Sequence, residues 1–121
     1  MSASVLVVDD DGLMRTLIRR TLVAAGYQVW TAASVAEARR LLPTLEDQLD
    51  LVLTDVVMPG GLGPDVAAGI GPSHRSPRVA YMSSYSDTKL RAHGIDLGGA
   101  PFLPKPFMPA TLLTFVSDTL G

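Results

Sequence analysis

The sequence predicts an α/β domain in which a five-stranded parallel sheet is doubly wound, with helices on both faces. Three observations carry this. Short aliphatic and β-branched runs alternate with amphipathic segments five times along 121 residues, and such alternation means a parallel sheet joined by right-handed helical crossovers. The runs Val5-Leu6-Val7-Val8 and Leu51-Val52-Leu53-Thr54 are continuous rather than alternating, as expected of strands covered on both faces. Hydrophobic residues make up 47% and charged residues 18% of the chain, which suits one compact core in a chain too short for two.

Strand 1 is read over residues 5–8 and ends at Asp9-Asp10-Asp11-Gly12. Met14, Leu17, Ile18 and Leu22 then recur at helical spacing and form one face. Gly26 is the stop of that helix. Residues 28–32 make a short second strand. Ser34-Val35-Ala36-Glu37 is a capping-box pattern, with Ser34 as cap and Glu37 reaching back. Pro43 is expected to end the second helix near Leu42. Residues 44–49 form a polar loop into strand 3, residues 51–54, with Asp55 at its C-terminal end. Pro59 and Gly60 break the chain there. Gly60-Gly61-Leu62-Gly63 reads as a flexible loop, and Pro64 suits the first turn of a short third helix over 65–70. Residues 71–77 are turn-rich. Strand 4 covers 78–82 and ends at Ser83-Ser84. The fourth helix, 87–93, has little apolar stripe. Phe102 and Leu103 are the heart of strand 5, and Pro101 and Pro104 place it at a sheet edge, since proline cannot donate to a central ladder. Leu112, Leu113, Val116 and Leu120 form the face of the last helix. No repeat or linker interrupts residues 1–121, which read as one domain.

Several function classes are disfavoured. Net charge is -2 and the isoelectric point about 5.5. No basic cluster exceeds Arg19-Arg20 and Arg39-Arg40, so direct nucleic-acid binding is not expected. The chain has no cysteine, hence no disulfide, thiol nucleophile or zinc-thiolate site. No apolar run approaches the ~20 residues of a membrane span, and the first residues lack a basic leader pattern. A cytoplasmic location without direct membrane contact is expected. A G-x-x-x-x-G-K-[ST] loop is missing, so nothing in the chain is expected to bind ATP, and the glycine stretch lacks dinucleotide-loop spacing. His74 and His93 have no partner spacing and read as surface residues.

Four strand ends carry polar groups: Asp9-Asp10-Asp11, Asp55, Ser83 and Lys105. In a parallel sheet these ends share one edge, where open α/β folds bind ligands. A carboxylate in the place of Asp55 is a nucleophile, a metal ligand or a helix cap. Asp9 to Asp11 either cap the first helix or join a site. Crowded carboxylates need a cation, and oxygen-only ligands suit Mg²⁺. An aspartate can attack phosphorus to give an aspartyl phosphate, a transfer that needs mostly positioning and charge neutralisation. Mg²⁺, Lys105 and the Ser83 hydroxyl are of the right chemistry for that.

Val-Leu-Val-Val-Asp9-Asp10-Asp11, Asp55-Val-Val-Met-Pro59-Gly60, Met82-Ser83-Ser84-Tyr85 and Lys105-Pro106-Phe107, in this order, resemble the receiver domains of two-component response regulators over essentially the whole chain. Tyr81 to Asp87 and Phe102 to Pro109 are most similar to receivers attached to hybrid sensor histidine kinases. The resemblance implies a flavodoxin-like strand order 2-1-3-4-5. It implies Asp55 as phosphoacceptor, and Mg²⁺ held by Asp9, Asp10, Asp55 and the Val57 carbonyl. Ser83 would contact the phosphoryl group, Lys105 would pair with it, and Phe102 would be the switch aromatic. A cis Lys105–Pro106 bond is expected on the same grounds. The implied partner is a sensor histidine kinase or a histidine phosphotransfer domain, with a phosphorylation-dependent homodimer as the assembly. The chain would be a stand-alone regulator or part of a hybrid kinase, a cytoplasmic portion of a membrane-bound protein in the second case. It would be a signalling domain that assists its own phosphorylation and dephosphorylation, not an enzyme. Ser84 departs from the usual Ala or Gly, and Pro104 removes a donor beside Lys105. The alternative is a haloacid-dehalogenase-like phosphatase, since Asp9-Asp10-Asp11-Gly12 matches that family's D-x-D-G start with Asp9 as nucleophile. That reading leaves Asp55 idle and lacks a later acidic pair.

Overall fold

The computed structural model describes residues 2–45, 47–72 and 75–121. Strands β1 (Ser4–Val8), β2 (Gln28–Ala32), β3 (Leu51–Asp55), β4 (Arg78–Ser83) and β5 (Phe102–Pro104) form one sheet in the order β2-β1-β3-β4-β5. Every pairing in it is parallel. Helices α1 (Gly12–Ala24), α2 (Val35–Leu45), α3 (Gly63–Ala68), α4 (Asp87–Ala92) and α5 (Pro109–Leu120) connect and flank the strands. This is the doubly wound, flavodoxin-like arrangement.

The continuous apolar strands are the reason for two cores. Successive side chains point to opposite faces. Val5 and Val7 therefore pack with Ile18 and Leu22 of α1 and Leu112 of α5. Leu6 and Val8 pack on the other face with Ala38 and Leu42 of α2 and Val66 of α3. β1 and β3 are buried along their whole length. β5 lies at an edge and, among the described residues, pairs only with β4, which accommodates Pro101 and Pro104.

Caps follow the sequence closely. Asp11 Oδ1 accepts the Leu13 and Met14 amides at 3.0 and 3.3 Å. Gly26, at φ 97°, follows α1 in the left-handed conformation a helix stop needs. Ser34 Oγ accepts the Glu37 amide at 3.1 Å, while Glu37 reaches back to the amide of Ala33 rather than Ser34, at 3.2 Å.

Four expectations are corrected. Pro43 lies inside α2, which runs on to Leu45. An interior proline costs about 3 kcal/mol, but Leu42 and Leu45 are both buried in the core and return about 1.5–3 kcal/mol each. Leu17 is 42% exposed, so the buried stripe of α1 is Ile18 and Leu22, with Met14 partly buried against them. The glycine loop is ordered: Val57–Met58 and Gly61–Leu62 pair as a short antiparallel ladder, with Gly60 turning at φ 83°. Helix α3 starts at Gly63 and ends at Ala68, because the Asp65 carboxylate takes the Leu62 amide at 2.8 Å and Gly69 caps the far end. His74 lies outside the described residues. His93 is exposed at the end of α4.

Candidate functional site

The three aspartates after β1 have three different jobs. Asp9 is fully buried and every polar group it carries is engaged. Its amide donates to the Ala32 carbonyl at 3.1 Å. Its Oδ1 accepts the Asp11 amide at 2.9 Å and its Oδ2 the Lys105 Nζ at 2.8 Å. Its carbonyl accepts Arg15 Nη1 at 2.8 Å. Asp10 is exposed, and its side chain makes no hydrogen bond or ion pair among the described residues. Asp11 caps α1. Within this run Asp11 fills the cap reading, while Asp9 and Asp10 turn their carboxylates towards Asp55.

Asp55 ends β3, the central strand, and is 8% exposed. Lys105 is delivered to it by β5. The Lys105 amide donates to the Ser83 carbonyl at 2.8 Å, the Lys105–Pro106 bond is cis, and Nζ lies 3.2 Å from Asp55 Oδ2. The ammonium therefore bridges Asp9 and Asp55. Carboxylate oxygens of Asp9, Asp10 and Asp55 lie within 4.8 Å of one another.

This crowding has an electrostatic signature. Burial, aided by the charges of Asp9 and Asp10 and opposed by Lys105, pushes the Asp55 carboxyl from 3.8 up to about 6. Burial alone would lower the Lys105 ammonium. Its hydrogen bond to Asp9 and the charge of Asp55 outweigh that and raise it. The pocket is short of positive charge. Its donors are all oxygen, and the Asp10 carboxylate is free. That set fits a hard dication such as Mg²⁺.

The remaining candidates are placed as follows. Ser83 is buried at the end of β4, one residue beyond Met82, the register partner of Asp55. Its Oγ accepts the Tyr85 amide at 3.0 Å. Val57 sits in the short ladder directly after Asp55, with its side chain exposed. Phe102 is half-buried on β5 opposite Tyr81 and packs against the cluster of Val56, Tyr81, Leu90 and Leu97.

Sequence reasoning missed two participants. Arg15 is invisible to periodicity, because its link to Asp9 depends on a long side chain folding back over the loop. Gly63 looked like flexibility but is a close approach: a Cβ there would lie 2.6 Å from the Asp55 carbonyl and 3.0 Å from the Tyr81 ring. The signal available was the crowding of glycine just after an aspartate-ended strand.

Acidic residues and a lysine converging at the carboxyl ends of a 2-1-3-4-5 sheet define an α/β domain with a carboxylate-lined pocket whose chemistry suits a cation. The family is set by comparison: the response regulator receiver domain profile matches residues 5–117, and the chain belongs to that family. It is 35% identical to PetR of Rhodobacter capsulatus over 123 residues, covering 99% of this chain and 51% of PetR. It is 34% identical to sensor kinase CckA of Brucella abortus over 119 residues, covering 98% of this chain and 13% of the kinase. Among solved structures, the receiver domain of the hybrid histidine kinase CckA matches with a TM-score of 0.82 at 30% identity, over 98% of this chain and 100% of that one. Chemotaxis protein CheY4 of Vibrio cholerae matches with a TM-score of 0.81 at 27% identity, over 98% and 99%. Receiver domains are signalling domains of two-component systems. They interact with histidine kinases or phosphotransfer proteins and bind Mg²⁺ through acidic residues. Among the described residues, no helix is long and apolar enough to cross a membrane.

Proposed function

We propose that residues 1–121 act as one receiver domain in which Asp55 accepts a phosphoryl group from a phosphohistidine of a partner kinase or histidine phosphotransfer domain. The observation that carries this reading is the Lys105 ammonium, 2.8 Å from Asp9 and 3.2 Å from Asp55, inside a pocket of three carboxylates. In the transfer, an Asp55 oxygen forms the new bond to phosphorus while the phosphorus–nitrogen bond breaks and its electron pair leaves on the imidazole. Asp55 must be ionised to attack, and the Lys105 ammonium favours that form against the effect of burial. Oδ2 is held by Lys105, so Oδ1 is the attacking oxygen. Lys105 then stands ready to neutralise the incoming phosphoryl oxygens. Bound through Asp10, Asp55 and the Val57 carbonyl, with Asp9 behind, Mg²⁺ supplies the rest of that neutralisation.

The response runs through Ser83. Turning its hydroxyl to the phosphoryl group surrenders the bond from the Tyr85 amide and releases the loop into α4. That helix is six residues long with Leu90 as its buried residue, so it is cheap to move. Phe102 packs against the same Leu90 cluster and can follow it inward. Leu13, Val57, Tyr85 and Met108 are exposed on segments that follow β1, β3, β4 and β5. They offer an apolar collar around the pocket for a partner. The domain works in the cytoplasm, alone or as part of a hybrid kinase.

The phosphatase alternative would need Asp9 as nucleophile. That carboxylate is fully buried, with both oxygens committed to Lys105 and the Asp11 amide, which weighs against it. To test the proposal, treat the wild type and Asp55→Asn with acetyl phosphate and Mg²⁺ and weigh the intact proteins. One hydroxylamine-labile phosphoryl group on the wild type and none on Asp55→Asn is the expected result. Equal labelling of both, mapping to residues 9–11, overturns it.

A further inference from the structure

Asp10 presents a contrast. Its carboxylate is free, yet its backbone is held from both sides. A peptide unit is planar, so the carbonyl of Asp9 and the Cα of Asp10 share one plane. That plane is pinned where Arg15 Nη1 donates to the Asp9 carbonyl at 2.8 Å. The next plane, between Asp10 and Asp11, is pinned where the Asp11 amide donates to Asp9 Oδ1 at 2.9 Å. Asp10 is thus an unpartnered carboxylate on a fixed Cα.

We propose that Arg15 is a positioning residue for the cation site: through the Asp9 carbonyl it sets the direction from which Asp10 presents its carboxylate. The inference rests on the Mg²⁺ reading above. Arg15 is half-buried, and its guanidinium turns back past Gly12 to reach the Asp9 carbonyl. It brings a positive charge towards a pocket meant for a cation, which by charge alone opposes metal binding. Orientation and charge therefore predict opposite signs, and the sign decides between them.

The experiment is a Mg²⁺ titration of the wild type, Arg15→Met and Arg15→Lys, followed by the amide shifts of residues around Asp10 and Asp55. Arg15→Met keeps an unbranched apolar stem but has neither donor nor charge. Its Mg²⁺ dissociation constant should rise about tenfold, the usual cost of losing a group that orients a metal ligand. Arg15→Lys keeps one donor of similar reach, and the contact uses only one nitrogen, so it should restore most of the affinity. Phosphorylation of Arg15→Met by acetyl phosphate should be slow at low Mg²⁺ and return to the wild-type rate at saturating Mg²⁺. An unchanged or lowered dissociation constant in Arg15→Met overturns the inference, the lowered one being what loss of charge alone would give. If Arg15→Met does not fold, Arg15→Gln takes its place, and affinity equal to or tighter than wild type overturns the inference in the same way. A wild type that binds no Mg²⁺ overturns the underlying reading as well. A wild type that binds it, beside an Arg15→Met that binds equally, overturns this inference alone.

Discussion

Asp55→Asn removes one charge from a pocket that holds too many of one sign. In the unfolded chain the carboxyl ionises near 3.8, and in the folded protein at about 6. Between those values only the folded form keeps its proton, so folded stability falls as pH rises through this window and is level above it. At about 1.36 kcal/mol per pH step, the full window is worth about 3 kcal/mol. Asparagine resembles the protonated side chain and still offers Lys105 an oxygen. Asp55→Asn should therefore match the wild type near pH 4 and exceed it by about 3 kcal/mol at pH 8 without metal, raising Tm by on the order of 10 °C. Urea unfolding followed by circular dichroism at several pH values measures this directly. Mg²⁺ should narrow the gap, since it stabilises only a protein that binds it, by about 1.4 kcal/mol when free metal is at tenfold its dissociation constant. A variant less stable than wild type at pH 8, or a difference that does not vary with pH, would refute the electrostatic account.

Three other substitutions test separate parts of the structure. Lys105→Met strands the Asp9 and Asp55 carboxylates and should cost about 3 kcal/mol at pH 8; equal urea midpoints for variant and wild type would mean the bridge contributes nothing. Gly63→Ala places a methyl group 2.6 Å from the Asp55 carbonyl and should cost about 2 kcal/mol through backbone displacement, with shifted amides at Asp55 and Val56. A silent substitution there would show that the close approach is not required. Pro43→Ala restores a helical amide inside α2 and should stabilise the protein by about 1 kcal/mol, less than the interior value because the unfolded chain also gains freedom; a lowered urea midpoint would contradict the reading of α2.

The sheet was legible in the sequence because its central strands are buried on both faces. Val5 to Val8 and Leu51 to Thr54 need apolar residues at every position, and that leaves an unbroken run. The cluster was legible because a parallel sheet gathers strand ends, so Asp9, Asp55 and Lys105 could be placed together by position alone. What escaped the sequence depends on tertiary contacts. Pro43 sits within α2 because buried leucines on either side hold the turn together. Leu17 occupies a helical position that the periodicity assigns inward, yet it lies outside the stripe that Ile18 and Leu22 bury. Gly61 and Gly63 mark tight packing, a condition that looks the same in sequence as looseness. The division of labour among Asp9, Asp10 and Asp11 depends on which oxygen meets which amide, and no spacing rule resolves that.

Asp9 and Asp55 share one ammonium, but they stand in different positions towards it. Asp9 has its other oxygen, its amide and its carbonyl bonded within the fold, so its charge is absorbed by architecture. Three carboxylates facing one ammonium leave a formal excess of two negative charges. Asp55 is different: its burial at the end of β3, and after that the charges of Asp9 and Asp10, raise its carboxyl against the pull of Lys105. The chain thus keeps its least comfortable charge on the central strand, at the edge where ligands arrive. A substitution that relieves it should make a more stable protein and remove the proposed acceptor in the same step. A stability cost located on the proposed acceptor is what a functional site looks like when local rules are otherwise obeyed.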